Sequence, residues 1–270
     1  MQFQLAELTA LLEQRLLRGE HLTLYGPRGS GKSTVLAELH ARLRRSAVPC
    51  AYSASTTALD DLTRTLERAY PGVDTLEVGR RTARARLWSA ADQRPGVLLL
   101  DHFQCRGSAT ACFLRRLHGQ VAAVLTAVDV DTGKERGRLR PWRYGAMSVR
   151  MPLATPRQLR RLLEQRWGAL RLAALDAGAA RVFIAAARGR PGWIVTCAEL
   201  ACEQRYWRAC GPLVTVLCVD TEAAVRYRAL ALLRGASAPS AVGCRAAQGS
   251  SATAGGSAVS GLMTPKCAGR

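Results

Sequence analysis

The 270-residue chain is expected to fold as α/β, a three-layer sandwich around a parallel sheet, followed by a small all-helical domain. The expectation rests on three features. Short apolar strands alternate with helical patterns as far as residue 153, the arrangement of successive right-handed crossovers. Val97-Leu98-Leu99-Leu100-Asp101 and Val121–Thr126 are apolar without alternation, as in strands covered on both faces. From Thr155 onward helical start and stop signals replace strand signals.

Residues 4–18 carry Leu5, Leu8, Leu11, Leu12 and Leu16 at i, i+3, i+4 spacing, an amphipathic helix. His21-Leu22-Thr23-Leu24-Tyr25 reads as a short buried strand. A glycine-rich turn then opens a helix over 33–45, with Val35, Leu36, Leu39 and Leu43 on one face. Val48–Ser53 is a second strand candidate, and helices follow near 58–69 and 78–93. After the strand ending at Asp101, a helix near 108–118 leads to Val121–Thr126, and Met147–Leu153 supplies a fifth strand. Thr155-Pro156-Arg157-Gln158 is a capping box with proline at the first helical position, and Leu159, Leu162, Leu163 and Trp167 share one face behind it. Helices near 173–187 and 193–208 are divided by Arg188-Gly189-Arg190-Pro191-Gly192. Leu213–Val219 reads as a short strand or extended segment, and Asp220 caps a last helix to about Arg234. Residues 235–270 contain no acid and are dominated by Gly, Ala and Ser, a composition too poor in buriable surface to order itself. The expected division is 1–153, 154–234 and a disordered tail at 235–270.

With 48% apolar and 22% charged residues the chain has no uninterrupted apolar run near the ~20 residues that span a bilayer, so no membrane insertion is expected. Met1-Gln2-Phe3-Gln4-Leu5 lacks the basic start and apolar stretch of a secretory signal, which points to the cytoplasm. Nine cysteines form no C-x-x-C pair; Cys197, Cys202 and Cys210 fall on one predicted helical stretch and read as small buried thiols. Net charge of +19 favours a polyanionic partner through counterion release. The surplus is arginine, however, with lysine only at 32, 134 and 266, which a GC-rich genome yields without selection for binding.

The segment Gly26-Pro27-Arg28-Gly29-Ser30-Gly31-Lys32-Ser33-Thr34 fits G-x-x-x-x-G-K-[ST] between a strand and a helix. Glycines at 26, 29 and 31 allow backbone conformations in which successive N–H groups surround phosphate oxygens at the positive end of the helix. Lys32 supplies a mobile charge for β- and γ-phosphates, and the Ser33 hydroxyl is placed for Mg²⁺. Asp101, 69 residues after Lys32, stands where a carboxylate reaches the same Mg²⁺ through a water. His102 follows where hydrolytic relatives place a glutamate; an imidazole lacks the fixed negative charge that activates water, so hydrolysis is expected to be slow or partner-dependent, unless His102 merely closes the strand end. Thr126, at the end of the next strand, offers a hydroxyl to the γ-phosphate or the lytic water, or is simply a good strand residue. Gln104 is a further candidate for that water. Arg115, Arg116, Arg136, Arg138, Arg140 and Arg143 compete as the arginine that a neighbouring subunit would donate. The absence of N-K-x-D tilts the nucleotide toward ATP.

Together these residues resemble the AAA+ and related STAND ATPases of the P-loop NTPase class over about residues 4–210. The likeness rests on Gly26–Thr34, Val97–Asp101, Thr126 and Gly189-Arg190-Pro191, the last resembling the sensor-2 or G-x-P element of a helical lid. It implies ATP and Mg²⁺ as cofactors, Arg190 as a lid contact to the nucleotide, a homo-oligomer, and a conformational or assembly switch driven by slow hydrolysis to ADP and phosphate. The layout is also similar to that of transposition-helper and secretion-associated ATPases, which leaves a DNA or protein partner open. In sensor-2 proteins the arginine follows the proline; here Gly192 holds that place. Two other functions stay open: a DNA-associated adaptor that binds ATP without efficient turnover, and a small-molecule kinase, which the separate helical domain argues against.

Overall fold

Side chains along the central strands sort by parity, and this decides the layering. In the computed structural model, which describes residues 2–54, 59–73, 79–103, 112–113, 116, 123–129, 146–208 and 211–233, Leu98 and Leu100 face one helical layer. Val97 and Leu99 face the other. The sheet comprises β1 (Leu22–Gly26), β2 (Cys50–Ser53), β3 (Val97–Leu100), β4 (Ala123–Asp129) and β5 (Met147–Arg150), all parallel, in the order β2-β3-β4-β1-β5. Helices α1 (Gln2–Leu17) and α2 (Lys32–Arg45) cover one face, burying Leu12, Leu16, Leu36, Leu39 and Leu43 against Leu22, Leu24 and Leu125. Helices α3 (Leu59–Ala69) and α4 (Arg80–Gln93) cover the other through Leu62, Leu66 and Leu87. Each fully buried leucine contributes about 1.5–3 kcal/mol, so the two faces hold the three-layer α/β fold together.

The helical part follows as α5 (Pro156–Ala169), α6 (Ala177–Ala187), α7 (Pro191–Leu200) and α8 (Val214–Leu233), with an antiparallel pair of two-residue strands, β6 (Trp207–Arg208) and β7 (Gly211–Pro212). The capping box opens α5 as its sequence dictates: Gln158 N donates to Thr155 Oγ1 at 3.3 Å and Thr155 N to Gln158 Oε1 at 2.8 Å. Leu159, Leu163, Trp167, Phe183, Trp193 and Tyr206 form the core.

Four expectations change. Within the expected Leu213–Val219 strand, Val214–Val219 is helical rather than extended, because Leu217, Thr221 and Val225 fall one turn apart and bury as a row, which outweighs the strand preference of a valine-rich run. Asp220 is therefore inside α8, where its Oδ2 accepts the Tyr206 hydroxyl at 2.7 Å. The helix expected over 193–208 ends at Leu200, and β6 begins at Trp207. β4 continues through Ala127 and Val128 to Asp129, past the expected end at Thr126. The helix near 108–118, apart from residues 112–113 and 116, and the tail at 235–270 lie outside the described residues. Cys197 is buried on α7 and its thiol is pushed up to about 12, first by burial; Cys210 lies outside the described residues.

Candidate functional site

The C-terminal ends of β1, β3 and β4 converge, and open parallel sheets bind ligands outside that edge. β1 runs into the glycine loop, β3 into Asp101, and β4 ends at Asp129, which pairs in register with Gly26. Because β4 lies between β1 and β3, Asp129 stands between the loop and Asp101.

The loop turns on Gly29 and Gly31, whose φ of 77° and 99° are left-handed values that a Cβ would strain. Ser30 N closes the turn on Pro27 O at 3.2 Å, and Gly31 caps α2 without a side chain, which leaves the helix's first N–H groups facing outward. Lys32, 5% exposed, donates from Nζ to Gly26 O at 2.8 Å and Pro27 O at 2.9 Å, and pairs with Asp129 Oδ1 at 2.8 Å. Arg28 Nε lies 3.6 Å from Asp129 Oδ2. Ser30 Oγ is buried with no hydrogen-bond partner among the described residues. A buried orphan hydroxyl, outward helix N–H groups and a loop ammonium fit a polyanion, so the residues suit a nucleotide's phosphates.

Asp101, 1% exposed, is held from several sides. His102 N donates to its Oδ1 at 2.8 Å, the Tyr52 hydroxyl to its Oδ2 at 3.1 Å, and the Ser33 hydroxyl also donates to it. Burial works to raise the carboxyl, yet His102 and Ser33 hold it below the usual carboxylate range. The Ser33–Asp101 contact brings together the two oxygen donors that a hard cation such as Mg²⁺ takes. His102 is in the left-handed region at φ 45°, with Nδ1 3.2 Å from Ala54 O and 3.4 Å from Asp101 Oδ1. Burial lowers its imidazole, but the hydrogen bond and charge of Asp101 and the charge of Asp129 outweigh it, and the net shift is upward. Tyr52 is pushed upward, first by burial and then by Asp101.

Two sequence candidates are not brought to the loop. Thr126 is fully buried mid-strand, with Oγ1 3.4 Å from Leu22 O and from Thr23 Oγ1; the strand end assigned to it belongs to Asp129. Arg190 turns away into the helical core and forms a fork with Glu222, Nη2 to Oε2 at 2.7 Å and Nη1 to Oε1 at 3.3 Å. Nε and Nη2 also cap Ala187 O and Ala186 O. With four of its five N–H donors held by internal acceptors, Arg190 braces the turn before α7 rather than reaching for a phosphate at the loop. Arg190→Ala is accordingly expected to lower stability by about 2 kcal/mol with nucleotide affinity unchanged. Denaturant melts and a nucleotide titration check this; a loss of affinity without a loss of stability would return Arg190 to the site. Arg116 stacks its guanidinium 3.6 Å over Trp88, while Gln104, Arg115, Arg136, Arg138, Arg140 and Arg143 lie outside the described residues.

Asp129, Tyr52 and Arg166 were missed. Asp129 had a legible signal, an acid closing an apolar run just as Asp101 does. Arg28 to Thr34, His102, Asp129 and Arg166 line a cavity of about 500 Å³, a size suited to a small ligand. Its apolar wall comes from Leu5, Met151, Leu162, Val195 and Val225. The helical part meets the loop directly: Gly192 N donates to Gly29 O at 2.8 Å, and a Cβ on Gly192 would sit 3.0 Å from Gly29 Cα and O. Glycine at 192 is what permits this approach.

Residues 2–128 match the family described as AAA ATPase domain. Among solved structures the chain is similar to the Aeropyrum pernix ORC1 protein in complex with DNA, at 19% identity and a TM-score of 0.50, covering 83% of this chain and 65% of that one. It is also similar to Cdc6p from Pyrobaculum aerophilum (18% identity, 74% and 61% covered, TM-score 0.46). A third is AMPPCP-bound DnaA from Aquifex aeolicus (17% identity, 71% and 59% covered, TM-score 0.46). The chain covers between 59% and 65% of the length of these structures. No curated protein matches it. No helix among the described residues is long and apolar enough to cross a membrane.

Proposed function

We propose, on the premise that the chain carries an AAA+ P-loop ATPase domain over residues 2–128, that it is a cytoplasmic ATP-dependent switch with slow turnover. The observation that carries this reading is the hydrogen bond from Gly192 N at the start of α7 to Gly29 O in the phosphate loop. A nucleotide that sets the loop's backbone thereby sets the seat of the helical lid, and each acts on the other's equilibrium. Main-chain N–H groups of the loop and Lys32 hold the phosphates, and the apolar wall of the cavity takes the base. Ser33 and Asp101 would hold Mg²⁺, which when bound offsets phosphate charge. His102 supports slow hydrolysis, since an imidazole lacks the fixed negative charge that orients and activates water.

A second reading, an adaptor that reads a polyanion with little turnover, gains support from a groove along α5 and α6. Arg157, Arg160, Arg181 and Arg188 line it, and no carboxylate does. One set of measurements serves both. Titration calorimetry with ATP and Mg²⁺ is expected to give saturable heat, phosphate release to be slow, and a slowly hydrolysed analogue to move the protein to a larger particle in gel filtration. Faster phosphate release with duplex DNA, falling as salt rises, would favour a DNA-stimulated motor, and unchanged release with DNA bound would favour the adaptor. Absence of heat with every purine triphosphate would remove the nucleotide reading.

A further inference from the structure

We infer that Asp129 sets the protein's nucleotide affinity by holding Lys32 in an ion pair that phosphate must displace. The inference rests on the nucleotide reading and deepens it. An ammonium carries three N–H donors and no acceptor. All three of Lys32's are engaged, by Gly26 O at 2.8 Å, Pro27 O at 2.9 Å and Asp129 Oδ1 at 2.8 Å. A phosphate oxygen gains a bond from Lys32 only if one of these gives way. The two carbonyls belong to the turn that shapes the loop, so the exchangeable acceptor is the carboxylate.

Asp129 engages a second loop cation as well, with Arg28 Nε 3.6 Å from its other oxygen. The carboxylate is fixed at a strand end opposite Gly26, and its side chain is only 15% exposed, so the pair with Lys32 is weakly screened. It also lines the cavity, where its charge repels a polyphosphate before contact. Both effects act in one direction: the carboxylate stabilises the empty loop and opposes the filled one. Asp101 differs, since its oxygens accept from Ser33, Tyr52 and His102 and none of its partners is Lys32.

The test uses the full chain with Asp129→Asn and Asp129→Ser, titrated calorimetrically with ATP in the presence and absence of Mg²⁺. Both variants are expected to bind ATP about tenfold tighter than wild type. In parallel, the melting temperature without nucleotide should fall while the rise on adding saturating ATP grows. Asp129→Ser controls for the new amide donors of asparagine, which can bond a phosphate themselves: a gain in Asp129→Asn alone overturns the inference. Unchanged or weaker binding in both variants also overturns it and makes Asp129 a support of the competent Lys32. Wild-type protein that binds no triphosphate overturns the nucleotide reading itself, a result distinct from the other two.

Discussion

Replacing Lys32 with alanine is expected to lower ATP affinity at least about a hundredfold, the loss of an ammonium from a site built for phosphate. The variant should still fold. Alanine is the best helix former, Lys32 is the first residue of α2, and the core of that helix is made by Val35, Leu36, Leu39 and Leu43. Stability should nonetheless fall by about 2 kcal/mol. Among the described residues Asp129 keeps Arg28, at 3.6 Å, as its ion-pair partner, and the carbonyls of Gly26 and Pro27 lose the donor that bridged them. Adding Asp129→Asn to Lys32→Ala should recover part of that stability and only a small part of the binding, because it removes the orphaned charge and its repulsion of phosphate without restoring the cation. Titration with a fluorescent ATP analogue beside a urea melt reads both quantities. Undiminished affinity in Lys32→Ala would leave the phosphate-loop assignment without a basis.

The parts of the site written in local sequence were legible. Gly29 and Gly31 need their left-handed φ wherever the chain goes, and Asp101 ends a run of four apolar residues that only a covered strand explains. What failed was set by distant partners or by a boundary. Arg190 lies two residues before Gly192, which touches the loop, but its direction is decided by Glu222, 32 residues on, whose carboxyl the Arg190 fork holds below its ordinary range. Nothing local to Arg190 reveals that pairing. Thr126 was placed at a strand end because it is the first polar residue of its run; Ala127 and Val128 extend the strand, and parity then turns the threonine into the core against Thr23. The same three-residue extension puts Asp129 at the edge facing Lys32. Leu213–Val219 was misjudged because β-branched residues favour strands only where a pleated surface receives them, whereas here the helical row of Leu217, Thr221 and Val225 has a core to enter.

Asp101→Asn separates the second charge of the site from the first. The side chain keeps its size and one carbonyl acceptor, and the Tyr52 and Ser33 hydroxyls can rotate to accept from the new amide, so the strand end retains its packing. The negative charge is lost from a position only 1% exposed, where water cannot substitute for it. Binding of ATP with Mg²⁺ should weaken about tenfold, and binding measured with a chelator present should change little. Lys32→Ala, by contrast, should reduce both, since the ammonium acts on the phosphates whether or not a cation accompanies them. Equal losses for Asp101→Asn in the two conditions would mean that its carboxylate serves only to fix Ser33, Tyr52 and His102. A loss confined to the Mg²⁺ titration follows only if the Ser33–Asp101 pair meets the cation, because no other effect of the substitution distinguishes the two conditions.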